Sequence, residues 1–229
     1  MATASISCPC GWGARFHQAT QEAAQVFLPL RVGGEDCLGV LVADASGHGI
    51  GAALLAAQTR AYLRALALTC ADVGTLLTLS NQRLASDLVT DHFVTLFLLR
   101  LDPRTHSLLY ANAGHWPGYV LDRRGRTKAV LASTGCPLGI DPAGAFPAGP
   151  ATTLEPGELV LLFTDGIVEA APPDGKPFGL ERTLGIVRAH QREAPDAILD
   201  ALFHAVGDFS GHPPQDDLTA VILNAEGAG

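Results

Sequence analysis

Apolar residues arrive along this chain in short dense runs divided by Gly, Pro and acidic residues, and run length separates strands from helices. Val26-Phe27-Leu28-Pro29-Leu30 and the run 37–43 flank Arg31-Val32-Gly33-Gly34-Glu35-Asp36, which predicts a hairpin with a Gly-rich turn. The second run is apolar on both faces, as suits a central strand covered on each side, and it stops abruptly at Asp44. Beyond Ser46-Gly47-His48-Gly49-Ile50-Gly51, residues 52–68 are rich in Ala and Leu and free of Pro and Gly, predicting a helix. A second helix is predicted from Asp72, as its cap, to about Leu88, at the cost of Gly74 in its first turn. The two helices then form a helical hairpin.

The runs 93–101, 107–113, 119–122 and 128–131 are separated by Asp102-Pro103-Arg104, Trp116-Pro117-Gly118 and Arg124-Gly125, and predict an antiparallel meander. Residues 141–150 hold three Pro and two Gly and read as an exposed loop. A buried strand over 158–164 again ends on an acid, Asp165. Helices over 179–191 and 195–208 and a strand over 218–223 follow. The order of elements does not alternate as a βαβ array would, so the expectation is antiparallel sheets with helices packed outside, an α+β architecture.

Composition narrows what such a fold could do. At 229 residues the chain is long enough for one domain with a sizeable core. Fifteen Lys and Arg against 23 Asp and Glu give a net charge of −8, and only Lys128 and Lys176 are lysines, so there is no basic footprint for nucleic acid. No signal-like N-terminus and no long apolar run point to a membrane, so a cytoplasmic protein is expected. Five scattered cysteines, with only Cys8 and Cys10 close-set, read as reduced thiols and not as a zinc site.

An acidic chain attracts phosphate only through bound cations. Three clusters of carboxylates share a strand-end context: Asp44, Asp165, and Asp216-Asp217 just before the last strand. Acids gathered on one sheet rim repel one another unless a hard divalent ion compensates, and Mg²⁺ and Mn²⁺ favour oxygen ligands. The competing view of any single Asp is a turn former. Gly47-x-Gly49-x-x-Ala52 after a strand also admits a dinucleotide loop, but that fingerprint requires a parallel strand and an acid about twenty residues on, where this chain is helical.

Val42-Ala43-Asp44-Ala45-Ser46-Gly47-His48-Gly49, Asn112-Ala113-Gly114-His115-Trp116-Pro117, Gly135-Cys136-Pro137-Leu138-Gly139-Ile140, the stretch 162–170 around Thr164-Asp165-Gly166, and Gln215-Asp216-Asp217-Leu218-Thr219 together resemble the SpoIIE/RsbU-type serine phosphatases. These are bacterial members of the metal-dependent PPM, or type 2C, superfamily. The motifs run in the family's order over about 14–224, leaving tails at 1–13 and 225–229 around one domain. The resemblance implies an α-β-β-α sandwich of two antiparallel sheets flanked by helices, and a binuclear Mn²⁺ or Mg²⁺ centre that hydrolyses protein phosphoserine or phosphothreonine. It also implies a phosphorylated anti-anti-sigma protein of the STAS type as substrate. With no room for a sensor domain, control by a partner in trans is expected, through the helix pair after the Asp44 loop; a homodimer is a further option.

By the same similarity Asp44 bridges two ions, the carbonyl of Ala45 adds a ligand to one, and Asp165 and Asp216 complete the second, with Asp217 as a neighbour. His48 and His115 are candidate general acids, although a loop histidine bonded to backbone is the commoner arrangement. Thr95, Asn112 and Thr164 read as scaffold. One departure stands out. The family carries Gly-Gly-Asp on the first hairpin strand, where this chain has Gln21-Glu22-Ala23, so Ala23 replaces a bridging aspartate and Val26 a second acid. Glu22 would point to the opposite face unless a bulge turned it inward, and Gly33-Gly34-Glu35-Asp36 falls in the hairpin turn. The alternative to a phosphatase is therefore a degenerate member that binds a phosphoprotein without hydrolysing it.

Overall fold

The structure is a computed structural model that describes residues 2–8, 12–19, 25–31, 37–87, 92–173, 175–212 and 218–225. Its strands are β1 (Ala2–Cys8), β2 (Trp12–Ala19), β3 (Gln25–Arg31), β4 (Leu38–Ala45), β5 (Val94–Asp102), β6 (Ser107–Ala113), β7 (Gly118–Leu121), β8 (Thr127–Leu131), β9 (Thr152–Thr153), β10 (Leu159–Phe163) and β11 (Leu218–Ala225). Its helices are α1 (Ile50–Ala67), α2 (Val73–Asp87), α3 (Asp165–Glu169), α4 (Leu180–His190) and α5 (Pro195–Ser210). Two sheets result, ordered β3-β4-β5-β6-β9 and β1-β2-β11-β10-β7-β8, and every pair with a defined register is antiparallel. The α+β class with antiparallel sheets and helices beside them is thus present. Contacts divide the chain into two compact units, one of 22–117 with 131–154 and one of 1–21 with 118–130 and 155–229.

In the first unit β4 lies between β3 and β5, and Val40, Leu41 and Val42 are fully buried, which is why its sequence is apolar on both faces. Leu41, Ala43 and Ala45 join Leu96, Leu98, Ala111 and Ala113 against Leu55 and Leu63 of α1 and Leu76, Leu77 and Leu84 of α2. Each buried Leu contributes about 1.5–3 kcal/mol relative to exposure, so this cluster fixes the helix pair on the sheet. On the opposite face Val42, Phe97, Leu99 and Tyr110 are buried too, with Phe97 and Tyr110 stacked at 5.5 Å.

The predicted cap is confirmed: the Thr75 amide donates to Asp72 Oδ1 at 2.7 Å. Gly74 is needed for a different reason from helix propensity, since a Cβ there would lie 2.5 Å from the Phe146 carbonyl oxygen. The segment 146–148 therefore runs against α2. Residues 141–150 are largely irregular, but Phe146 is 1 % exposed and its amide donates to Thr78 Oγ1 at 3.1 Å. The expectation of a wholly exposed loop is corrected by that anchor.

In the second unit β10 is buried along its whole length between β11 and β7. Tyr119 of β7 stacks on Phe163 of β10 at 6.0 Å. α5 packs on β2 and β11, begins with Pro195 and ends at Gly211, whose φ of 69° supplies the left-handed cap.

The meander is a further correction. β5 pairs with β6, but β7 pairs with β10 in the other sheet, and β9 occupies the free edge of β6. Pro117 lacks an amide to continue a ladder, and Gly114 turns the chain with φ of 65°. The stretch expected as an N-terminal tail also contains β1, paired with β2 from Ala2 to Cys8. The dinucleotide reading fails on topology: β4 is followed through α1 and α2 by β5, which is antiparallel to it. No helix among the described residues is long and apolar enough to cross a membrane.

Candidate functional site

Asp44 is the penultimate residue of β4 and is half-buried. The ladder sets Gln25 of β3 opposite it on one side and Thr95 of β5 on the other. Ala45 follows, buried and opposite Val94. The chain then leaves the sheet through a turn fixed by Ser46, whose amide donates to the Phe93 carbonyl and whose Oγ accepts from the Phe93 amide, both at 2.9 Å. Gly47 has φ of 87° and Gly49 φ of 77°, conformations that side-chain-bearing residues rarely adopt, and Gly49 is the cap of α1. Exposed His48 lies between these two glycines.

His115 is buried in a turn after β6, beside the Asp44 end of β5. Its Nδ1 lies 2.9 Å from Thr95 Oγ1. Asn112, itself fully buried, accepts from the His115 amide at 2.8 Å and donates to its carbonyl at 3.1 Å. The segment 133–139 seals this turn. Thr134 and Gly135 amides both donate to the Asn112 carbonyl, Val94 and Leu138 exchange amide bonds, and a Cβ on Gly114 would meet Pro137 Cγ at 2.6 Å. Asn81 of α2 accepts from the Gly139 amide at 2.8 Å and donates to the Asp141 carbonyl at 2.7 Å. The two motifs around Gly114 and Gly135 are thus the frame that fixes the end of β5.

In the other unit, Asp165 opens α3 directly after β10, is half-buried, and accepts from the Gly166 amide at 3.0 Å through Oδ1. Thr164 ties the ends of β10 and β11 together: its amide donates to the Thr219 carbonyl at 3.0 Å, and its Oγ1 accepts from the Thr219 amide at 3.1 Å. Asp216 and Asp217, close upstream of Thr219 in sequence, lie outside the described residues, as do Glu22, Ala23 and the 33–36 motif. Val26 pairs with Ala43 and so occupies the ladder position next to the one facing Asp44.

Among the described residues no three His, Cys, Asp or Glu side chains gather into a cluster. Asp44 and Asp165 belong to different units. The donors themselves fit a hard divalent ion, because carboxylates and a backbone carbonyl at Ala45 are all oxygen ligands. The described part of β3, Gln25-Val26-Phe27-Leu28-Pro29-Leu30-Arg31, offers no carboxylate at all. Thr95 reads in sequence only as scaffold; the register sets it opposite Asp44.

Residues 34–226 match the family model described as stage II sporulation protein E (SpoIIE). Protein IcfG of Synechocystis sp. is 30% identical over 218 residues, covering 83% of this chain and 34% of its own length. Phosphoserine phosphatase RsbU of Bacillus subtilis is 24% identical, covering 82% of this chain and 56% of its own length. The chain thus spans about a third to just over half of these relatives. Among solved structures, the SiaA-PP2C domain of Pseudomonas aeruginosa superposes with a TM-score of 0.78 at 22% identity, over 91% of this chain and 84% of that one. RsbX in complex with magnesium gives a TM-score of 0.70 at 16% identity, over 97% and 99% of the two chains. These likenesses show a PP2C-type fold.

Proposed function

Because the chain belongs to the SpoIIE family, we propose that it is a metal-dependent protein phosphatase that hydrolyses phosphoserine or phosphothreonine on a bacterial signalling protein. The observation that carries the proposal is that two family motifs each present an aspartate at the end of a buried central strand, Asp44 after β4 and Asp165 after β10. Asp44, the Ala45 carbonyl, Asp165 and Asp216 would hold Mn²⁺ or Mg²⁺, with Asp217 beside them. Bound divalent ions supply an activated water and neutralise charge that grows on the phosphoryl oxygens.

The chain's own contributions are positional. Gly47 and Gly49 turn the backbone away soon after Asp44, which leaves the carboxylate among the last paired residues of β4, at the strand's end. The Ser46–Phe93 bonds hold that terminus against β5, and the Thr164–Thr219 bonds do the same for Asp165. His48, exposed on the Asp44 loop, is the candidate to deliver a proton to a leaving serine oxygen. His115 is engaged with Thr95 and is framed by Asn112, which favours a structural part for it.

The substrate class that follows from the family is a phosphorylated anti-anti-sigma protein of the STAS type, with control by a partner in trans. A cytoplasmic location completes the proposal. A second reading has one specific observation in its favour. The residue facing Asp44 on β3 is Gln25, an amide, and Ala23 stands where the family has a bridging aspartate. A member short of one carboxylate would hold its ions more weakly and could serve as a phosphoprotein-binding module. The deciding measurement is phosphate release from p-nitrophenyl phosphate and from a phosphorylated STAS peptide at millimolar Mn²⁺. Asp44→Ala is expected to lower the rate roughly 100-fold, the scale of losing a group that stabilises transition-state charge; equal rates in the two proteins would remove the enzymatic reading.

A further inference from the structure

We infer that Thr95, held by His115, is a positioning residue whose hydroxyl orients the Asp44 carboxylate toward a divalent ion. The inference rests on the proposal above that Asp44 is a metal ligand. Directly opposed residues on neighbouring antiparallel strands share a face, with Cβ atoms about 4.5–5.5 Å apart. Asp44 and Thr95 are such a pair. A threonine hydroxyl has one proton to give and two lone pairs to accept with. When His115 carries its proton on Nδ1 and donates it across the 2.9 Å contact to Thr95 Oγ1, the hydroxyl proton is released for Asp44.

The surroundings of His115 are built to hold that geometry. Its ring is buried at 6 % exposure, and both polar groups of its backbone are taken by the side chain of Asn112. The preceding residue is a glycine with φ of 65°, pressed on Pro137 so closely that a Cβ would clash. On the other side, Val94 is locked to Leu138 by reciprocal bonds of 3.0 and 2.8 Å. Thr95 is thus fixed through its own strand and through its hydroxyl, while Gln25 faces Asp44 across the β3–β4 ladder. Outer hydrogen bonds to metal ligands are typically worth about 10–100-fold in affinity.

The test is the Mn²⁺ affinity of the full chain, read from the EPR signal of free Mn²⁺, for wild type, Thr95→Val and Thr95→Ser, with melting temperatures measured alongside. Thr95→Val keeps the shape and removes the hydroxyl; it is expected to weaken binding about tenfold or more, with a lower melting temperature because buried His115 Nδ1 loses its partner. Thr95→Ser, which restores the hydroxyl, is expected to stay within about twofold of wild type. Val binding like wild type, or Ser binding as weakly as Val, overturns the inference. Should Thr95→Val not fold, Thr95→Ala takes its place in the comparison with Ser. If wild type binds Mn²⁺ no better than Asp44→Ala, the metal-ligand reading itself falls and this inference with it. A difference between wild type and Asp44→Ala that ignores position 95 refutes the inference alone.

Discussion

Asp44 stands directly across the β4–β5 ladder from Thr95, and Thr95 is in turn hydrogen-bonded to the buried ring of His115 at 2.9 Å. The acid at the rim is therefore flanked by a rigid polar chain on one side and by Gln25 on the other. That asymmetry sets what substitutions around it should do.

Ala23→Asp tests the proposal that this chain lacks a metal-bridging carboxylate at position 23. Mn²⁺ affinity measured by titration calorimetry should rise by about tenfold or more, and phosphate release should need correspondingly less metal. An unchanged affinity would mean that position 23 does not serve the Asp44 rim, and would shift attention to Glu22.

Asn112→Ala removes both partners of the His115 backbone from a fully buried position. A buried group left unsatisfied costs about 1–3 kcal/mol, so a loss of roughly 2–6 kcal/mol is expected for the two groups in urea unfolding. A loss below about 0.5 kcal/mol, the range of ordinary surface substitutions, would contradict the framing role.

Thr164→Val leaves the Thr219 amide without its hydroxyl acceptor at the junction of β10 and β11. Destabilisation of about 1–3 kcal/mol is expected. Hydrogen exchange at Thr219 should accelerate well beyond that of the neighbouring β11 amides, and exchange that stays uniform along β11 would count against the tie.

Asp122 closes the turn between β7 and β8. Desolvation pushes its carboxyl upward, but the Arg126 amide and guanidinium and the Arg124 amide outweigh that and hold its pKa below the ordinary value of 3.8. A lowered folded pKa means that the stability this group contributes is present above the unfolded value and is lost as pH falls through the folded one. The stability gap between wild type and Asp122→Asn should hence be constant from neutral pH to about pH 5 and close on further acidification. A gap that widens in acid would reverse the sign of the argument.

Much of the fold is written in the apolar runs. β4 and β10 are legible because a central strand must be apolar on both faces, and α2 is legible because Asp72 caps it. The change of sheet between β6 and β7 is not, since both strands are short apolar runs and only the pairing partner distinguishes them. β1 and β2 escape because their sequences mix Ser, Thr, Arg, His and Gln with the apolar residues. The burial of Phe146 inside a Pro- and Gly-rich loop depends on the gap at Gly74 and Gly135, which no local pattern announces. At the candidate site the aspartates are legible from strand-end position, whereas Thr95 acquires meaning only through its cross-strand partner.

The pairing of β2 with β11 has a kinetic consequence. Trp12 meets Ala225, so the six-stranded sheet closes only after more than two hundred residues have been synthesised. Contacts of such long sequence separation slow folding, and β11 is the strand that carries Thr219 into register with Thr164. A nascent chain on the ribosome can assemble β4, α1, α2, β5 and β6, and with them the Asp44 rim, long before β11 exists. The end of β10, where Thr164 meets Thr219, must wait for that strand, so the second unit is completed only late in translation.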